Sequence, residues 1–162
     1  MAAYIDQFTG ESLMVIKKPP IEAPSIVPFK NNGDNTFLQD RFICFAYRYQ
    51  YADGEFSATS QFSDPAFVAG NFEFSTGTFL NEGMLNVMNA VTISYNTGGP
   101  LVKDIEILFK EMDNPVIRVI ERLNKLDLGF ADNDVETFVF DNQKIFTVLP
   151  ETEILRIYYK VP

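Results

Sequence analysis

The residue types that most often carry chemistry are scarce in this chain. It has no histidine and a single cysteine, Cys44. A Ser-His-Asp or Cys-His device therefore cannot be assembled within it, nor can a histidine or thiolate zinc site, nor an internal disulfide. Cys44 lies in the apolar run Phe42-Ile43-Cys44-Phe45-Ala46 and reads as a small buried hydrophobe rather than a nucleophile. Oxygen ligands are better represented. Asp132, Asp134 and Glu136 alternate with other residues, as calcium ligands often do, so they form the weak metal candidate. They lack the glycine and the distal glutamate of an EF-hand loop, and a solvated acidic loop is the expected reading. Asp104 and Glu106 would point the same way from one strand, as a carboxylate pair for glycoside hydrolysis must. Nothing near them in the sequence supplies an apolar cleft, and they are expected on a solvent face. Gly98-Gly99 is too short for a phosphate loop and reads as a turn. No cofactor is implied, and no catalytic residue is assigned.

The aromatic residues make the clearest pattern. There are 16 Phe, 7 Tyr and no Trp in 162 residues, a bias that suits half-buried pleated surfaces. Tyr47, Tyr49 and Tyr51 alternate with Arg48 and Gln50, and Asp53-Gly54 is the preferred centre of a two-residue type I′ hairpin turn. Reading outwards from that turn pairs Tyr51 with Phe56, Tyr49 with Ala58, Tyr47 with Ser60 and Phe45 with Phe62 on one face. Gln50 with Ser57, Arg48 with Thr59 and Ala46 with Gln61 fall on the other. The root, with Phe42, Cys44 and Ala46, is expected to be buried on both faces and the tip, residues 51–56, to protrude. Tyr47, Tyr49, Tyr51 and Phe56 are the candidate interface, with Tyr51 and Phe56 expected to be partly exposed in the isolated domain.

The elements that would hold this hairpin are strands. Residues 1–20 read as an extended N-terminal segment, within which Met1–Gly10 lacks the layout of a signal peptide. Pro19, Pro20, Pro24 and Pro28 stiffen the chain and confine Ser25-Ile26-Val27 to a sheet edge. Residues 21–162 read as one domain, with a possible sub-boundary near 70–88, where glycines and asparagines interrupt the pattern. A short strand within 71–78 and a turn of helix within 81–88 are the readings there. Further strands are expected at 91–95, 105–109 and 116–123. The last of these also fits helical spacing at Val116, Val119, Ile120 and Leu123 but is favoured as strand by its β-branched residues. After a loop at 126–134, a hairpin of 136–140 with 144–149 and a last strand at 154–161 are expected. About eight short strands with frequent turns predict an all-β fold: an antiparallel β-sandwich of the immunoglobulin or fibronectin type III kind. No apolar run approaches the length of a membrane span. A net charge of −9 disfavours nucleic acid as a partner.

Three segments carry a resemblance. The stretch from Phe45 through Tyr47-Arg48-Tyr49-Gln50-Tyr51 and Asp53-Gly54-Glu55 to Gln61-Phe62-Ser63 resembles a recurring segment of large virion structural proteins of tailed bacteriophages, the crAss-like phages and their relatives. Val102 to Glu111 is similar to a second segment of the same proteins. Glu153 to Tyr158 with Val161-Pro162 is similar to a third, in the same order. Tyr159-Lys160 departs from that pattern, and the family's chains continue beyond the final Val-Pro. The resemblance implies a structural, non-enzymatic part of a tail or neck assembly. Such a part would be made in the bacterial cytoplasm and held in the virion by contacts with other phage structural proteins and with copies of itself. The alternative expectation is a carbohydrate-binding or adhesin-type module for host recognition, using the aromatic hairpin tip.

Overall fold

A computed structural model describes residues 16–34, 36–142 and 147–149. The chain is mostly β and forms two antiparallel sheets. The first contains β1 (Ser25–Phe29), β3 (Ala90–Asn96) and β6 (Val135–Phe140), with β3 in the middle. The second has the order β2 (Ile43–Tyr51), β4 (Val102–Glu111), β5 (Arg118–Asn124) and the two-residue β7 (Thr147–Val148). The only helix among the described residues is the single turn α1 (Lys125–Leu128), where a loop was expected. Asn124 accepts from the Asp127 N–H at its start, and Gly129, at φ 70°, ends it in the left-handed conformation. None of these elements is a helix long and apolar enough to cross a membrane.

The inner faces of the two sheets share one core. Phe45, Ile105, Ile107 and Phe109 from the second sheet meet Val91, Ile93, Tyr95 and Phe140 from the first. Phe140 packs edge-on to Phe45 at 5.3 Å between ring centroids, and Tyr47 lies 6.0 Å from Tyr95. The proline-bearing β1 sits at a sheet edge, as its composition requires, in register with β3. The outer face of this first sheet is built from cross-strand rows: Phe29–Ala90, Val27–Thr92–Val139, Ser25–Ser94–Thr137 and Asn96–Val135. None of these side chains is charged.

Several expectations are corrected. β6 and β7 do not form a hairpin: β6 pairs with β3 and β7 with β5, so the chain changes sheets between them. Seven strands are described where about eight were expected, and the expected strand at 154–161 lies outside the described residues. Residues 71–88 contain neither a regular strand nor a helix. They belong to an irregular hairpin arm joined by isolated bridges, Ala69 to Asn86 and Phe74 to Asn81. Glu82 N–H donates to Glu73 O, and Ser75 N–H to Leu80 O. The two limbs pass so closely that a Cβ on Gly83 would fall 1.6 Å from the Asn71 carbonyl oxygen, so only glycine fits there. At the root, Asn86 accepts from Val68 and Met88 N–H groups and donates to the Ala66 carbonyl, fixing the arm to the body.

The hairpin after β2 differs most instructively. Tyr51 O accepts from Gly54 N–H, Tyr51 N–H donates to Glu55 O, and Gly54 has φ 84°. Asp53 does not adopt a positive φ, so this is a three-residue turn closed by a left-handed glycine rather than type I′. The returning chain is not a regular strand either. Ser57, Ser60, Ser63 and Ala66 donate their N–H groups to Tyr49, Tyr47, Phe45 and Ile43 carbonyls in turn. Three residues of the return thus match two of β2, a continuous bulge. The serine hydroxyls complete the pairing: Tyr49, Tyr47 and Phe45 N–H groups donate to Ser57, Ser60 and Ser63 Oγ, each at 3.0 Å. Of the expected cross-strand neighbours, Tyr47 and Ser60 meet, and the others shift with this spacing.

Ser60→Ala removes the acceptor for the buried Tyr47 N–H without adding bulk. It should destabilise the fold by about 1–3 kcal/mol. Urea unfolding of the purified chain reads this as a lower midpoint with an unchanged slope.

Candidate functional site: a covered charge row, a tyrosine cleft and an apolar arm

Cross-strand register sets the first cluster. Arg48 on β2 stands opposite Glu106 on β4, which stands opposite Arg122 on β5. Both Nε and Nη2 of Arg48 donate to Glu106 Oε2 at 2.7 Å. Arg122 donates to Oε1 through Nε at 2.8 Å and through Nη2. Each carboxylate oxygen thus receives two donors from a single guanidinium group, Oε2 from Arg48 and Oε1 from Arg122, and both contacts are of the stronger, charge-assisted kind. Glu106 is 1 % exposed and Arg48 2 %, which overturns the expected solvent face. Asp104, one row away, is also buried and accepts from Asn124 Nδ2 at 2.6 Å.

The cover comes from the bulged return. Because its serines turn towards β2, Phe56 is carried over the charge row, with the Arg48 guanidinium 4.0 Å and that of Arg122 5.5 Å from its ring centre. Phe62 likewise covers Ala46 and Leu108, with Lys110 Nζ 4.3 Å from its ring. Phe56 therefore lies on the opposite side of the sheet from Tyr47, Tyr49 and Tyr51, contrary to the expected single aromatic face. A buried arginine with two carboxylate bonds and a ring above it is a packing unit, with no open position for a substrate.

The three tyrosines point inwards, and each is buried. They line one side of a cleft of about 490 Å³ whose other walls come from residues 18–22 and the turn at Gly98-Gly99. The proline-rich segment folds back over the row. The Tyr51 hydroxyl donates to the Lys18 carbonyl at 2.8 Å, the Lys17 ammonium lies 5.5 Å from the Tyr51 ring, and Lys17 pairs with Asp53. The expected exposure of Tyr51 is thus not found, while Phe56, lying over the guanidinium groups, is half-buried and so partly exposed as expected. Residues 52–55 alone form the exposed tip. The Tyr49 hydroxyl donates to the Asn96 carbonyl at 3.1 Å. Burial pushes the Tyr47, Tyr49 and Tyr95 phenols above their ordinary range, and the Tyr95 hydroxyl has no hydrogen-bond partner among the described residues. The Lys17 contact holds the exposed Asp53 carboxyl below its ordinary range.

The acidic loop does not gather its carboxylates. Asp132 is occupied by Lys125, whose buried Nζ donates to it at 2.6 Å and to the Gly98 and Gly99 carbonyls at 3.1 and 3.0 Å. Asp134 Oδ1 accepts from Val135 N–H, and Glu136 stands opposite Tyr95 in the β3–β6 register. Among the described residues, no three metal-ligating side chains form a group. Cys44 is buried, and desolvation raises its thiol pKa.

Sequence reasoning missed the arm. Phe72 and Phe79 are each 77 % exposed, and Phe74, Leu80, Met84 and Leu85 are exposed beside them. Its signal was available: a stretch rich in large apolar residues but lacking any helix or strand period has no core face to bury them on. No family model matches the chain, and no curated protein or solved structure matches it either.

Glu106→Ala strands the buried Arg48 and should cost about 3–5 kcal/mol, whereas Arg122→Ala, at a half-exposed position, should cost about 1 kcal/mol. Chemical denaturation of the two variants gives the comparison. The raised phenols favour the protonated, folded state, so their contribution is complete below about pH 10 and lost as pH rises beyond it. In an alkaline titration, ionisation of these tyrosines should coincide with loss of near-ultraviolet circular dichroism rather than precede it.

Proposed function

We propose that this chain is a structural component of a bacteriophage virion, in the tail or neck, acting through protein–protein contacts and without enzymatic activity. The observation that carries the contact role is the apolar arm, which holds large side chains in solvent on a braced backbone. Such a surface normally marks a protein interface. The phage assignment is supported by the resemblance of ordered segments. The first two become neighbours in space, since β2 and β4 pair along their whole length; the third lies outside the described residues.

The finer fold reading is an immunoglobulin-like or fibronectin type III-like sandwich with permuted chain order. The neighbours β5, β4, β2 and the serine-bearing return correspond to strands C′, C, F and G, and β1, β3 and β6 to A, B and E. The chain would then supply F and G before B, C, C′ and E.

A carbohydrate-binding or adhesin role ranks second. It needs open ring faces, and those of the hairpin tip are engaged, Tyr51 by Lys17 and Phe56 by Arg48. The cleft beneath residues 18–22 is where such a ligand would enter. Mass spectrometry of purified particles should find the chain at a fixed ratio to the tail and neck proteins. Its absence from particles, together with a glycan-array signal competed by free sugar, would replace this reading with the second.

A further inference from the structure

We infer that the arm formed by residues 68–87 docks onto the outer face of the β1-β3-β6 sheet of a second copy of this chain. This deepens the assembly reading above and rests on it. The first ground is area. The arm exposes eight large apolar side chains by 37–77 % each; at about 200 Å² for a fully exposed one, half exposure on average gives roughly 800 Å² summed over the arm. One partner in a stable interface contributes about 800 Å², whereas the largest patch on an ordinary monomer is about 300–600 Å².

The second ground is charge. The chain carries −9 overall, and the arm holds Glu73 and Glu82 with no lysine or arginine. Two arms laid together would oppose carboxylates without a cation between them, a repulsive arrangement. The outer face of the three-stranded sheet offers the complementary surface. Three of its rows are valine, threonine, serine and asparagine and the fourth is Phe29–Ala90, with Val27, Val135 and Val139 exposed and no charged residue among them. An apolar, weakly acidic arm meets no like charge there, and the exposed Val27, Val135 and Val139 give its phenyl rings an apolar surface to cover. Arm and face are different surfaces of one chain, so the contact is head-to-tail. Repetition closes a ring or extends a filament.

The test uses two double variants at exposed positions. Phe72→Ser with Phe79→Ser disables the arm, and Val27→Glu with Val139→Glu places carboxylates on the face. Light scattering coupled to size exclusion should show concentration-dependent association of the unmodified chain. Each double variant should weaken it by about tenfold or more, with thermal midpoints close to that of the unmodified chain. Mixed in equal amounts, the two variants should form a one-to-one heterodimer, because one intact arm meets one intact face, and should grow no further. A monomeric unmodified chain at high concentration would overturn the inference. So would a face variant that still associates fully, which would indicate arm-to-arm pairing, or a mixture that stays monomeric. Such failures would leave the particle analysis to judge the virion reading separately.

Discussion

The second edge of β2 is the constraint from which most of this structure follows. The strand is buried along nearly its whole length, so each backbone N–H and C=O needs a partner. β4 satisfies one edge in unbroken register from Ile43 to Gln50. The other edge is met by a chain that advances three residues for every two of β2, with serine hydroxyls accepting where a backbone carbonyl would normally stand. That spacing decides which side chains are thrown outwards. Phe56 and Phe62 land on the far side of the sheet, where they exclude water from Glu106, Arg48, Ala46 and Leu108. With water excluded, the charge row must satisfy itself, and the register that brings two guanidinium groups to one carboxylate allows it to do so. The tyrosines, left on the inner side, fill the space between the sheets and beneath residues 17–22.

This explains how far the sequence could be read. The strands β1, β2, β3 and β4 were legible because β-branched and aromatic residues alternate within them or prolines confine them to an edge. The position of the hairpin turn is legible from Asp53-Gly54, and the shared face of Tyr47, Tyr49 and Tyr51 from its period of two, although that face is expected at an interface and is instead buried. Two-to-two pairing of the return, the default for a hairpin, puts Phe56 on the wrong side of the sheet. The three-residue recurrence of Ser57, Ser60 and Ser63 was the signal against it. Asp104 and Glu106 were misread for a related reason. Alternation assigns residues to a face but does not say whether that face meets water, and here the cover comes from a segment some fifty residues away. The hairpin expected of residues 136–149 failed because a turn signal cannot distinguish reversal within one sheet from passage to the other.

The polar groups of the body are largely committed to internal structure. Lys125 bridges two turn carbonyls and Asp132, tying the Gly98-Gly99 turn to the loop after α1. Gly98, at φ 69°, lets the same turn lie close against β2 and β4, since a Cβ there would fall 2.8 Å from Val102 and 3.0 Å from Tyr49. Asn89 likewise ties the loop after β1 to the start of β3 by donating to the Asn31 and Gly33 carbonyls. Asp132, one of the candidate calcium residues, and the candidate carboxylate pair are thus used as fasteners between elements. The uncommitted surface is of another kind, apolar on the arm and uncharged on the outer sheet.

The position of Cys44 gives the molecule an internal clock. It is the only sulfhydryl in the chain, it lies near the start of β2, and burial keeps its thiol protonated and shielded from reagents. Alkylation can proceed only as fast as the strand parts from its neighbours. The rate at which a thiol reagent consumes it therefore measures how often the sheet opens, without any label being introduced, and in an assembled particle it would measure how far neighbouring subunits slow that opening.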